Sequence, residues 1–328
     1  MALCVSFGMV SCKEKVEEAN QKKGSSGKTL EMLLVSEKSV YAGSTKELVE
    51  ELFRCPMESF LVPEPKFDVV FIPLSSFQNT EMFQVHRNVV ILDVNPENPN
   101  KLYKHVDQYS APQIIFEIAA KDTRSLEELL KKYQPLIEEE FRQADHRRVK
   151  KAYYSTRNTE VMHAIKEKFG FELTVSDEFM VAAEADNFMW IRKSTKDFEM
   201  NILVQTQPYT NKNMFDEGKI LNNIDTIMRR HVQSPAEGSY PGTERRIKET
   251  RRQVTVADQY AVETRGWWRS FGDFYGGPYS NLTILTPDQK EVVSMTAFVY
   301  GQRISNNTPF PRRDYLIQAE SIAWSIEF

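Results

Sequence analysis

The sequence predicts an α+β protein: an α/β-like N-terminal half built on a mixed sheet, followed by an antiparallel, strand-rich C-terminal half. Three observations carry this. Short β-branched runs alternate with helical stretches up to Ser155. Strand-like runs separated by turn residues dominate from Phe171 onward. A polar break at 155–158 divides the two patterns, so the expected organisation is 1–11 signal remnant, 12–30 lipidated tether, 31–156 and 157–328.

In chain order, Met32, Leu33, Leu34 and Val35 form a buried-strand pattern. Ser44 and Glu47 are spaced as a capping box ahead of Leu48, Val49, Leu52 and Phe53, which recur at helical spacing. Apolar runs at 67–72, 88–94 and 114–120 predict three more interior strands. A long helix starts near Ser125, with Glu128 placed for a second capping box. Leu126, Leu129, Leu130, Tyr133, Ile137 and Phe141 form its apolar face, and Pro135 is expected to kink or split it. Glu138, Glu139 and Glu140 read as its solvated side. A helix over 159–168 stops at Gly170. Strands are expected at 171–175, 179–184, 188–191 and 201–205, then a helix over 215–231. Runs at 260–268, 282–285, 292–300 and 315–326 read as a closing antiparallel meander.

The 328 residues suffice for two ordinary domains or one large one. A 41% hydrophobic and 27% charged composition suits a globular core with a solvated surface. No apolar run approaches the ~18 residues of a membrane-spanning helix. A formal net charge of −4 gives no global attraction to nucleic acid, and no nucleic-acid partner is expected.

The first twelve residues end an uncharged apolar stretch at Cys12, with Ser11 just before it. Small residues ahead of a cysteine, after an apolar core, are the pattern of a lipoprotein signal cleaved before the acylated cysteine. No Lys or Arg precedes Lys13, so the natural signal is expected to be longer than this stretch. The competing reading is a packed first strand of a cytosolic domain. Residues 13–29 hold Val16 and Ala19 as their only apolar side chains and read as a flexible tether spanning about 20–25 Å. Cys4 would be lost with the signal and Cys12 acylated, leaving Cys55 as a lone, buried thiol. Lys13 directly after Cys12 lacks the aspartate of inner-membrane retention, which points to the outer membrane.

Candidate chemistry is thin. His86, His105, His146, His163 and His231 show no HExxH spacing, and no CxxC occurs, so no metal and no cofactor is expected. His146 and His163 read as polar helical surface. His86 and Asp93 lie about 23 Å apart if they share one strand, too far for a dyad. Gly27-Lys28-Thr29 is not a phosphate loop, because Lys22 stands where the first glycine belongs. The run 244–252, with Arg245, Arg246, Arg251 and Arg252 among Glu244 and Glu249, reads as an exposed salt-bridged segment; docking to anionic headgroups or a polyanionic glycan is the alternative. Gly266-Trp267-Trp268-Arg269 and the following Tyr275 and Tyr279 form the best candidate contact surface. Glycines beside aromatic rings predict a loop, and Trp267, Trp268, Arg269, Tyr275 and Tyr279 there could stack on a sugar, peptide or partner protein. In the competing reading the two alternate, one tryptophan facing the core and the other packing under the loop.

Five segments carry a resemblance: 63–69 (Pro-Glu-Pro-Lys-Phe-Asp-Val), 86–90, 168–173, 186–192 and 266–269. Together they resemble a family of uncharacterised lipoproteins of Bacteroidetes-type bacteria, known as a domain of unknown function. The resemblance implies an envelope lipoprotein and brings no catalytic residues. The expected function is a lipid-anchored binding or assembly module with a membrane and an envelope protein or glycan as partners. An envelope hydrolase with a site assembled from distant residues is the rival.

Overall fold

The computed structural model describes residues 22–234, 236–301 and 310–328. Cys12 and the expected signal lie outside the described residues. The protein is α+β with two sheets.

The first sheet is built from β1 (Glu31–Ser36), β2 (Asp68–Pro73), β3 (Asn88–Val94), β4 (Lys101–Val106) and β5 (Ile114–Ala120). Its order is β2-β1-β3-β5-β4, parallel except for β4, which runs antiparallel to β5. Strand alternation sends Met32 and Leu34 of β1 to one face and Leu33 and Val35 to the other. Helices α1 (Gly43–Phe53) and α4 (Thr123–Ser155) cover the first face; the short α2 (Leu74–Asn79) and α3 (Glu81–Gln84) cover the second. Burial on both faces explains why β1, β3 and β5 read as continuous apolar runs, while the edge strand β2 carries such a run with only Ile72 buried. The exposed edge strand β4 has no such run and gave no signal.

Several local expectations are corrected. Helix α4 continues through Pro135 as one 33-residue helix. Lys131, whose carbonyl loses its helical donor there, lies on the exposed side, where water can take its place. Its N-cap is Asp122, whose side chain accepts from the Ser125 N–H at 2.7 Å, so Ser125 is not the cap. Ser44 likewise bonds Glu127 at 2.7 Å, and no side chain caps α1. The last part of the expected tether is packed: Ser26 N–H donates to the Val85 carbonyl at 2.9 Å and Ala111 N–H to that of Lys23 at 2.9 Å. Gly27, at φ +107°, lies against the His86 ring where a Cβ would collide. Cys55 is only half-buried, and burial pushes its thiol up.

The chain then forms α5 (Thr159–Phe169), which ends on Gly170 in the left-handed region. The second sheet comprises β6 (Met180–Ala185), β7 (Phe188–Ser194), β8 (Phe198–Pro208), β9 (Tyr240–Thr243), β10 (Thr250–Val256), β11 (Gln259–Phe271), β12 (Gly276–Leu285) and β13 (Glu291–Gly301). It is antiparallel, in the order β10-β11-β12-β13-β8-β7-β6, with β9 paired to the end of β11. Helix α6 (Glu217–His231) packs on one face through Ile220, Leu221, Ile224, Ile227 and Met228. The other face is covered by α5, the end of α4 and α7 (Arg312–Ala323).

Residues 171–175 are not a strand; they carry a single bridge, Glu172 with Glu327. Residues 315–326 were expected as a strand, and 312–323 instead form α7. Its apolar residues Leu316, Ala319 and Ala323 recur at helical spacing and meet the second sheet. Ile317 turns to the first core, so α7 is shared by both halves. Glu64 caps it from a distance: its carboxylate accepts the Arg312 and Arg313 N–H groups at 3.1 and 2.9 Å.

Where α4, α7 and the second sheet meet, charges are buried. Glu263 on β11 accepts from Arg142 at 3.1 Å, Arg252 at 2.5 Å and Arg265 at 3.2 Å. Arg265 also donates to Glu320 of α7 at 2.7 Å. Glu139 joins Arg142 and Arg252, so this part of α4 is not the solvated face expected from its acidic run. Surrounding guanidinium groups hold Glu263 low against burial, whereas burial raises Glu320. His146 is also inside rather than on the surface: it stacks on Trp324 and its Nδ1 lies 2.9 Å from the Ser321 hydroxyl.

Two outcomes follow from this cluster. Glu263→Gln leaves buried guanidinium groups uncompensated and is expected to cost about 3–5 kcal/mol in urea unfolding. Burial lowers the His146 pKa to about 3 from an unfolded value of 6.5, with Glu263, Arg265 and Arg147 as smaller influences. A depressed histidine stabilises the fold above its unfolded pKa and loses that contribution as pH falls from 6.5 toward 3. Between pH 7 and pH 5 the wild type is therefore expected to lose about 2 kcal/mol more than His146→Gln.

Candidate functional site

Helix α6 ends at His231 and leaves part of its sheet face open. The result is a cleft of about 930 Å³. Alternation places a residue pair from each of four strands along it: Trp190 and Arg192 of β7, Glu199 and Asn201 of β8, Phe298 and Tyr300 of β13, Trp268 and Ser270 of β11. Tyr275, from the turn between β11 and β12, Gln233 and Ser234, following α6, the first part of β6 and residues 195–198 complete the wall.

The floor is fixed. Trp190 Nε1 donates to Asn201 Oδ1 at 3.0 Å, and Trp268 Nε1 donates to the Val299 carbonyl at 3.1 Å. The second bond requires Gly277, since a Cβ there would sit 2.1 Å from that carbonyl oxygen. Trp268 meets Phe298 edge-on at 5.3 Å, and Tyr275 meets Tyr300 edge-on at 4.8 Å. The Arg192 guanidinium lies over the Trp190 ring at 5.4 Å and 4.0 Å from Glu199. Ser234 and Ser270 share a hydroxyl hydrogen bond of 2.9 Å.

The charges along the cleft balance, with Arg192 and Lys196 against Asp197 and Glu199. The remaining polar groups are amides, hydroxyls and His231. His231 stacks on Phe188 at 3.9 Å, and burial lowers its pKa. It pairs with no carboxylate among the described residues. The arrangement offers neutral hydrogen bonding over aromatic rings. No group of three or more His, Cys, Asp or Glu among the described residues is placed to hold a metal ion.

The residues singled out in the sequence are divided. Trp268 and Tyr275 line the cleft. Trp267 points to the opposite face and meets Phe60, Arg269 pairs with Glu244 at 3.3 Å, and Tyr279 is fully buried among the α6-side core residues. The expected loop is corrected: Trp267, Trp268 and Arg269 lie in β11 and Tyr279 in β12, with both tryptophans buried. Trp190, Arg192, Asn201 and Tyr300 were missed. Their signal was the alternation of large and polar residues at every second position of β7, β8 and β13, visible only once the open face is known. The basic run 244–252 is also partly interior, since Arg252 reaches Glu263 and Glu244 is buried beneath Arg246 and Arg269. His86 is buried and bonds Glu31 at 2.9 Å, a local structural pair.

Fold and cleft define a two-sheet α+β protein with one helix shared between its halves. Residues 158–325 match the family described as Domain of unknown function (DUF4837), just over half of the chain, and the protein belongs to that family. Residues 25–154 match a second family, Domain of unknown function (DUF8532). Among curated proteins none matches. Solved structures similar over part of the fold include the Saccharomyces cerevisiae Ran-binding protein Mog1p, at 9% identity and TM-score 0.31, covering 48% of this chain and 91% of that one. A point mutant of protein Mog1 is similar at the same identity and score, covering 48% and 89%. At that score the likeness carries no functional weight.

Floor and rim should separate on mutation. Trp268→Ala is expected to cost about 3–5 kcal/mol in chemical unfolding, because it empties a buried, hydrogen-bonded site. Tyr275→Ala at the half-exposed rim is expected to cost about 1 kcal/mol or less.

Proposed function

We propose that this protein is a lipid-anchored cell-envelope binding module, of the Bacteroidetes-type lipoprotein kind its motifs resemble. It holds an envelope protein or glycan in the cleft beside α6. The observation that carries the reading is the cleft itself: about 930 Å³, open, aromatic-floored and balanced in charge. That volume lies in the range of small-molecule and oligomer sites, and the lining combines apolar faces with convergent neutral donors and acceptors. Trp268 and Tyr275 are the contacts drawn from the aromatic segment, joined by Arg192 and Asn201. Trp267 and Tyr279 serve the framework.

The anchor rests on the Ser11-Cys12 pattern and the polar stretch after it. Acylation at Cys12 would tether the fold to the outer membrane, with more than one acyl chain needed for stable retention.

Metabolic labelling with a palmitate analogue is expected to mark the wild type and not Cys12→Ala. A native product with an intact amino terminus and a free thiol at Cys12 would remove the anchor from the proposal. For the cleft, immobilised protein is offered soluble peptidoglycan fragments and solubilised envelope proteins. Arg192→Ala and Tyr275→Ala are each expected to weaken capture about tenfold while melting within ~2 °C of wild type. Undiminished capture by both variants would place the ligand elsewhere.

A further inference from the structure

A second cleft, of about 460 Å³, lies between the β4–β5 pair and the C-terminal part of α4. Lys104, Arg147, Arg148 and Lys151 line it, against the single carboxylate of Asp107. That carboxylate is already used, accepting from the Gln113 N–H at 2.6 Å. Two of the cations are also committed: Lys104 to Glu140 at 2.8 Å and Arg148 to Asp145 at 2.7 Å. Arg147 and Lys151 are exposed and have no partner among the described residues. They stand four positions apart on α4, so they share a face, and a like-charged pair at that spacing weakens a helix unless an anion lies between them. Beneath the charges the cleft is apolar, with Val106, Pro112, Ile114 and Ala144, and Val106 is 61% exposed.

The location is informative. The Lys22 ammonium bonds the Asp107 carbonyl, the Lys23 carbonyl accepts from Ala111 N–H, and Gly24 bridges to Ala111. Lys22, the first described residue on the Cys12 side, therefore lies at the rim of this cleft. Ten Cα-to-Cα steps separate Cys12 from Lys22. Fully extended they reach at most about 36 Å, so an acyl anchor at Cys12 keeps this face close to the lipid.

We propose that this cleft docks the phosphate headgroup of an anionic phospholipid in the membrane that holds the anchor. The inference rests on the lipid-anchor reading for its geometry and is independent of the cleft beside α6. Arg147 and Lys151 supply the charge-assisted donors, and the apolar floor receives the glycerol and upper acyl region. Cations near an anionic surface each strengthen attachment severalfold, and the effect fades with salt.

The test uses the full chain with Cys12→Ala, which carries no acyl group, sedimented with phosphatidylcholine vesicles with and without phosphatidylglycerol. Binding is expected to be about tenfold stronger to the anionic vesicles, and Arg147→Gln with Lys151→Gln is expected to abolish that preference without changing the melting temperature. A distant control, Lys219→Gln, should keep it. Equal binding to both vesicle types, or an undiminished preference in the double variant, overturns the proposal. So does complete competition by millimolar inorganic phosphate, which would make the cleft a site for the free ion. Absence of palmitate labelling with vesicle preference intact would instead remove the anchor and leave the headgroup site standing.

Discussion

Glu263 is the charge on which the arrangement of the two halves turns. It lies in the middle of β11, almost without exposure, and three arginines from α4, β10 and β11 converge on it. A carboxylate in that position is tolerable only while all three donors stay in place. Each donor comes from a different structural element, so their joint requirement fixes how α4 lies across the second sheet. Arg265 extends the restraint to Glu320, and through it to α7. Hydrophobic packing would allow several nearby placements of these helices; directed bonds to a buried charge select one.

That fixed seating has a consequence for the opposite face. Residues 263 and 265 point toward α4 and α7, so 262, 264 and 268 of the same strand point toward α6 and the cleft. A strand locked on one side presents a rigid surface on the other. The indole bonds of Trp190 and Trp268 add local stiffness, which leaves the rim residues Arg192 and Tyr275 as the adaptable part.

The interior strands of both halves were legible because full burial writes a continuous apolar run, as in residues 88–94 and 114–120. The ends of α5 were legible because Asn158 and Gly170 act within one turn of the helix they bound. Edge strand β4 was hidden by its alternating exposure, and α7 by the similarity of short apolar clusters in helix and strand. Its N-terminal cap is Glu64, remote in sequence, so no local pattern announces it. Of the buried ion cluster, Glu139 and Arg252 belong to acidic and basic runs, which on a helix or strand usually face solvent, and Glu263, Arg265 and Glu320 carry no such pattern. Of the candidate cleft, Trp268 and Tyr275 were accessible to a reader of the chain. The remainder depends on which stretch of sheet α6 leaves bare, and that is a property of tertiary packing.

Helix α7 follows every strand of both sheets in the chain, yet Ile317 belongs to the first core and Leu316, Ala319 and Ala323 to the second. During vectorial synthesis, neither half can finish closing until this stretch has emerged. A nascent chain would carry the first incomplete apolar surface from β5 onward and a second one once the later strands have emerged, an interval in which holding factors rather than native contacts guard against misassociation. Maturation is thereby timed to the arrival of a single late segment, and the two halves complete together.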